Sequence, residues 1–325
     1  MANPYIFIVG CPRSGTTLFR HIVGAHPQIA ITPEAHWIPL WFEGRKGLTP
    51  DGLVTPELIQ QLLEDPKFAL FRIGREDLLT LMPNGQPVSY ASFVTSIFDL
   101  YGKAQGKAIV GNKTPDSVRR LGTLHSLWPE SRFVHIIRDG RDVALSFMNW
   151  SKVLQKKPGN FPTWKVDPVS TVALWWELNV RSGLQAARWL GPDLYYEIRY
   201  ESLIANPAAE CKALCDFLGL PYEEAMLGYC EGQTKDHENH ADPAWRPITP
   251  GLRDWRTEMP TGDVERFEAA VGELLVELDY PRAVPQPGPQ SLERVSMIRD
   301  LLAEGLQKLA PPEENVELAK RAGNG

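Results

Sequence analysis

The stretch Tyr5-Ile-Phe-Ile-Val-Gly-Cys-Pro-Arg-Ser-Gly-Thr-Thr-Leu-Phe-Arg20 constrains the fold more than any other part of the chain. Tyr5 to Val9 is an uninterrupted apolar run, the pattern of a strand buried on both faces of a parallel sheet. Gly10 to Gly15 turns the chain. From Thr16 the period becomes that of a helix, with Leu18 and Ile22, then Phe19 and Val23, on one apolar face. A strand, a Gly-bounded turn and a helix start make an anion site, because the first backbone N–H groups of a helix lack intrahelical partners and point outward.

The glycines keep the spacing of the nucleotide phosphate loop G-x-x-x-x-G-K-[ST]. Thr16 stands where that loop has Lys, Thr17 keeps the hydroxyl position, and a positive charge sits inside the turn at Arg13. Arg13, Ser14, Gly15, Thr16 and Thr17 therefore suit an anion. The Lys that would bridge β- and γ-phosphates is missing, which disfavours Mg-ATP hydrolysis.

Further strands are expected at 29–32, 108–111, 132–137 and 194–199. Helices are expected near 116–128, 141–150, 169–190, 206–217 and 263–278. This alternation predicts an α/β fold, a P-loop-like doubly wound parallel sheet flanked by helices. Ligands bind beyond the carboxyl ends of such strands. Arg13, Glu34, Lys113 and Arg138 each follow a predicted strand and are expected on one edge. Residues 1–282 read as one domain, with 43–107 a helical insertion that could wall an acceptor site. Residues 283–325 read as a Pro-rich linker, a helix near 290–309 and a mobile tail, the helix being a candidate surface for homo-oligomer pairing. Trp175, Trp176 and Trp189 recur at helical spacing and are expected in the core.

A net charge of −6 opposes binding to nucleic acid or an anionic membrane, so an anion site must be a local basic pocket. Met1-Ala-Asn-Pro runs into the first strand without a secretory pattern, and no apolar run approaches the ~20 residues that span a bilayer. Cys11, Cys211, Cys215 and Cys230 have no metal-ligand spacing. A cytoplasmic protein with no metal is the simplest expectation. Cys11, in the loop, is a candidate reactive thiol.

Arg138 ends a buried strand and Ser146 lies in the next helix. A guanidinium fork and a hydroxyl there suit a second phosphate. The competing reading is a solvated charged turn formed by Arg138, Asp139, Arg141 and Asp142.

Together, Pro12-Arg-Ser-Gly-Thr-Thr17 and Phe133-Val-His-Ile-Ile-Arg-Asp-Gly-Arg-Asp-Val-Ala-Leu-Ser146 resemble the 5′-phosphosulfate loop and 3′-phosphate motif of sulfotransferases that use 3′-phosphoadenosine 5′-phosphosulfate (PAPS). Tyr196 to Leu203, Asn206-Pro207 and Phe217-Leu-Gly219 are similar to later segments of that family. His26-Pro27, Glu34, Ile38-Pro39 and Asn112-Lys113 resemble the branch containing tyrosylprotein sulfotransferases. The resemblance implies Glu34 as general base and Lys113 and Arg13 as groups acting on the transferring sulfuryl. It implies Arg13, Ser14, Gly15, Thr16, Thr17, Arg138 and Ser146 around the donor, with Tyr200 stacking on adenine or filling core and Arg246 in a late basic segment. The product would be adenosine 3′,5′-bisphosphate (PAP), and the partner a hydroxyl-bearing acceptor. His36 is a rival base. Aromatic and apolar residues in the insertion and around Trp164 suit a phenol, lipid or natural-product alcohol, and the branch itself suggests protein tyrosine. A nucleotide or small-molecule kinase and a non-catalytic nucleotide-binding protein remain as alternatives.

Overall fold

The sheet of the computed structural model has five parallel strands: β1 (Ile6–Gly10), β2 (Ile29–Thr32), β3 (Ile109–Lys113), β4 (Arg132–Ile137) and β5 (Tyr195–Arg199). The structure describes residues 5–82, 86–154, 161, 163–231, 248–249 and 253–307. The strand order is β2-β3-β1-β4-β5, so the chain steps outward from β1, returns and crosses to its other side. That reversal puts the topological switch point at the carboxyl end of β1. Ile8 lies level with Lys113 on one side and Val134 on the other, so the segments after these strands leave from a common edge.

The helices are α1 (Thr16–Gly24), α2 (Trp37–Glu43), α3 (Pro56–Glu64), α4 (Arg75–Thr80), α5 (Tyr90–Ala104), α6 (Leu121–Leu127), α7 (Gly140–Leu154), α8 (Pro168–Leu190), α9 (Tyr200–Ala205), α10 (Pro207–Leu218), α11 (Trp255–Glu258), α12 (Thr261–Glu277) and α13 (Pro289–Gln307). Their starts carry local signals. Proline opens α3, α8 and α10, where its missing N–H costs nothing. Asp167 and Ser89 cap α8 and α5 by accepting from Ser170 N and Ser92 N.

The two-residue period of β1 sorts the core. Ile6 and Ile8 pack with Phe19, Ile22 and Leu214 of α1 and α10. Tyr5, Phe7 and Val9 face the opposite layer. There the aromatics of the insertion, Phe68, Phe71, Tyr90, Phe93 and Phe98, are buried, so they build core rather than an open wall. The continuous helix expected over 116–128 is instead a 3-10 turn, Pro115–Arg120, followed by α6, because Arg120 has a non-helical backbone. Trp175 and Trp176 are buried, but Trp189 is 49% exposed on the last turn of α8, against His125.

The C-terminal segment lies on the body. Glu268 of α12 accepts from Ala283 N and Val284 N, and Glu265 accepts from Gly288 N. Helix α13 then buries Val295, Ile298 and Leu302 in the cluster built by α7, α8 and α12. Arg294 pairs with Asp167 and Arg299 with Glu177. No described helix is long and apolar enough to cross a membrane.

Candidate active site

The loop after β1 is held in a conformation that its side chains define. Arg13 has φ +74°, a left-handed conformation that costs a non-glycine residue about 1–2 kcal/mol. Its Nε donates to Ser146 Oγ at 3.1 Å, so the two motifs, 133 residues apart, meet directly. Gly15 has φ +88°, and a Cβ there would sit 2.4 Å from the Tyr200 ring. Tyr200 thus covers the glycine at the mouth of α1, and the Arg138 guanidinium carbon lies 4.3 Å from its ring centre. Ser14 is fully buried, and its Oγ has no hydrogen-bond partner among the described residues. Thr16 is buried and Thr17 half-buried on the first turn of α1.

The turn after β4 is not a solvated run of charges. Arg138, Asp139 and Arg141 are 7%, 4% and 0% exposed. Asp139 accepts from Arg141 Nε at 3.0 Å and Nη2 at 2.8 Å, and from Trp255 Nε1 at 3.0 Å. Arg141 also donates to Glu268 Oε1 at 2.7 Å and lies over the Trp255 ring. Arg141 is therefore a structural cation satisfied on several sides. Arg138 differs. Its Nη2 is 3.6 Å from Asp142 Oδ2, and its buried Nε has no hydrogen-bond partner among the described residues. Burial pushes the Asp142 carboxyl up to about 6, against the opposing effects of Arg138 and the Trp255 N–H.

Glu34 and Lys113 meet because the ends of β2 and β3 are tied together. Asn112 Nδ2 donates to Thr32 Oγ1 and to Pro33 O, Thr114 Oγ1 donates to Asn112 Oδ1, and Ala35 N donates to Thr114 Oγ1. Lys113 Nζ then donates to Glu34 Oε1 at 2.6 Å. The other oxygen, Oε2, is 3.3 Å from both His36 Nε2 and Lys67 Nζ. Burial by itself would raise the Glu34 carboxyl, but the His36 hydrogen bond, Lys113 and Lys67 outweigh it and hold the group well below the usual carboxylate range.

The structure thus brings Arg13, Ser14, Gly15, Thr16, Thr17, Arg138, Ser146 and Tyr200 together around the loop, and Glu34, Lys113 and His36 on the same edge of the sheet. Arg246, with His237 and His240, lies outside the described residues. Cys11 is buried, and burial pushes its thiol well above the ordinary value, so it is not an activated nucleophile. Lys67 and Trp255 carry no signal in the sequence, and Asp142, read there as part of a solvated charged turn, is half-buried beside Arg138. Lys67 lies in the insertion, where no motif marks it, and Trp255 opens α11, a helix too short to show a period.

The model of the sulfotransferase family matches residues 4–224. The chain belongs to the sulfotransferase family. It is an enzyme that transfers a sulfuryl group, and the kinase and non-catalytic readings fall away. It is 26% identical over 226 residues to a putative protein-tyrosine sulfotransferase of Caenorhabditis briggsae, covering 70% of this chain and 69% of that one. It is 25% identical over 316 residues to protein-tyrosine sulfotransferase 1 of Danio rerio, covering 91% and 79%. These relatives come from the branch that Glu34, Ile38-Pro39 and Asn112-Lys113 resemble. The fold of this sulfotransferase is similar to that of the sulfotransferase domain of the olefin synthase of Synechococcus PCC 7002. That likeness has a TM-score of 0.55 and 21% identity, and covers 91% of this chain and 94% of that one.

Proposed function

We propose that this sulfotransferase uses PAPS and moves its sulfuryl group to an acceptor hydroxyl, with Glu34 as the base. The observation that carries this reading is the Glu34–Lys113 contact of 2.6 Å at the strand edge that also carries the anion loop. Two buried polar atoms without partners among the described residues, Ser14 Oγ and Arg138 Nε, fit a donor with two phosphate positions. The loop N–H groups, Arg13, Ser14, Gly15, Thr16 and Thr17 would hold the 5′-phosphosulfate. Arg138 and Ser146 would hold the 3′-phosphate, and Tyr200, between Gly15 and Arg138, would border the adenosine. Arg246 remains a further candidate for the donor.

The donor supplies the sulfuryl group and departs as PAP. The acceptor oxygen forms the new S–O bond, the S–O bond to the phosphate breaks, and the acceptor proton goes to Glu34. Paired with Lys113, Glu34 is a weak base. As negative charge grows on the leaving phosphate, Lys113 turns toward it and releases Glu34, so basicity rises as the reaction needs it. Arg13, Lys113 and Arg138 supply the positive charge for the transition state. The cytoplasm suits the four unpaired thiols of this chain.

Glu34→Gln and Lys113→Ala test the reading. Turnover with the best acceptor from a panel of phenols, saccharides and alkyl alcohols should fall about 10²–10⁴-fold in Glu34→Gln. PAP affinity should stay within about threefold in both variants. Unchanged turnover, or a parallel loss of PAP binding, would overturn the assigned roles.

A further inference from the structure

Three groups reach the Glu34 carboxylate, and Lys67 is the most open of them. Its side chain is 50% exposed, where His36 is half-buried and Lys113 buried. An ion pair this exposed adds little to stability, since water screens it and ordering the lysine costs rotamer entropy. The backbone that carries it is nevertheless closely fixed. Asp65 closes α3, and its Oδ1 accepts from Lys67 N at 2.7 Å and from Phe68 N at 3.3 Å. The 3-10 turn that follows, Phe68–Phe71, buries both of its phenylalanines.

Those rings tie Lys67 to the base. Phe68 meets the Trp37 ring edge to face, with centroids 6.0 Å apart, and Phe71 stacks on Phe68. His36 precedes Trp37 in the sequence, and Lys67 precedes Phe68. One aromatic contact therefore sets the spacing of the two backbones whose side chains reach Glu34 Oε2, His36 and Lys67, each at 3.3 Å. The insertion, which builds core elsewhere, here delivers a cation to the site.

The two carboxylate oxygens are thus held from different elements. Oε1 accepts from Lys113 at 2.6 Å, and Oε2 faces His36 and Lys67. When Lys113 turns to the leaving phosphate, Oε1 loses its partner and only the groups on Oε2 still hold the base. A misplacement of about 1 Å at a reacting group can cost about 10²-fold in rate. We propose that Lys67 is a positioning residue for sulfuryl transfer, keeping the Glu34 carboxylate in place through Oε2 while Lys113 leaves Oε1. The role rests on Glu34 being the base. An ammonium on a flexible stem suits it, because its three donors can follow Oε2 through small shifts. His36 shares the oxygen, so the loss of Lys67 loosens the carboxylate without freeing it.

The test is a double-mutant cycle of Lys67→Met and Glu34→Gln, with Lys67→Arg as the variant that keeps the charge. Each protein is assayed for kcat and KM with PAPS and the best acceptor among phenols, saccharides and alkyl alcohols, and for PAP affinity by calorimetry. Lys67→Met should lower kcat about tenfold and leave the acceptor KM and PAP affinity within about threefold. The same substitution should leave kcat unchanged on the Glu34→Gln background, where no base remains to be positioned. Lys67→Arg should recover most of kcat. An unmoved kcat in Lys67→Met, an equal fall on both backgrounds, a rise in acceptor KM alone, or a Lys67→Arg no better than Lys67→Met would overturn the role and leave Glu34 as the base. Wild-type turnover in Glu34→Gln would overturn the base, and this role with it.

Discussion

Lys113 Nζ sits 2.6 Å from Glu34 Oε1, and the two differ in setting: the lysine side chain is 4% exposed and the glutamate 32%. The cation is the buried member, at the end of β3, and the carboxylate is the half-buried one. The ammonium beside it helps to hold the Glu34 carboxylate ionised.

This pair gives a pH prediction that separates Glu34 from His36 as base. The Glu34 carboxyl lies well below the usual range, despite burial, through the His36 hydrogen bond and the Lys113 and Lys67 charges. It is therefore ionised throughout the neutral and mildly acid range. The acid limb of kcat/KM should lie below about pH 4.3, the ordinary glutamate value. In His36→Ala, which removes one of the groups that lower it, the limb should move upward. A wild-type limb near pH 6.5 that vanishes in His36→Ala would make the imidazole the base.

Asp142 carries the opposite shift. Its carboxyl ionises near 3.9 in an unfolded chain and at about 6 in the fold, chiefly through burial. Between those values the folded state holds the extra proton, so stability falls as pH rises through the window and stays lower above it. The difference corresponds to about 3 kcal/mol. Asp142→Asn should match wild type in denaturant unfolding at pH 4 and exceed it by up to about 3 kcal/mol at pH 8. A variant less stable than wild type at pH 8 would mean that the Arg138 contact outweighs the burial of the charge.

Gly15 and Tyr200 should behave as one unit. An alanine at 15 needs a left-handed backbone and places its Cβ 2.4 Å from the Tyr200 ring. Gly15→Ala should lower stability by about 1–3 kcal/mol and weaken PAP binding at least about tenfold. Adding Tyr200→Ala should recover part of the stability, so that the double variant is clearly non-additive. Additive melting shifts would show that the ring and the glycine are not in conflict.

The site's skeleton was legible because parallel strands end on one edge. Short apolar runs located the strands, and the residues following them, Arg13, Glu34, Lys113 and Arg138, then had to converge. The Arg13–Ser146 hydrogen bond depends on side chains 133 residues apart, yet both residues lay in recognisable motifs. Lys67 and Trp255 were not legible. Each reaches the site from a segment without periodicity, through packing that no local pattern encodes. The aromatics of the insertion pointed to an apolar acceptor wall by composition, but composition does not say which way a ring faces, and these rings close the core over Tyr5 and Phe7. Arg141 and Asp139 read as part of a solvated charged turn, whereas burial against Glu268 and Trp255 makes them the frame that holds the Arg138 turn.

The most direct test of the account is calorimetric titration of PAP, ADP and Mg-ATP into wild type and Arg138→Ala. The account predicts metal-independent binding of PAP that is tighter than that of ADP, and a loss of about 1.5–3 kcal/mol for PAP in the variant with little change for ADP. Binding led by Mg-ATP, or PAP affinity indifferent to Arg138→Ala, would contradict it.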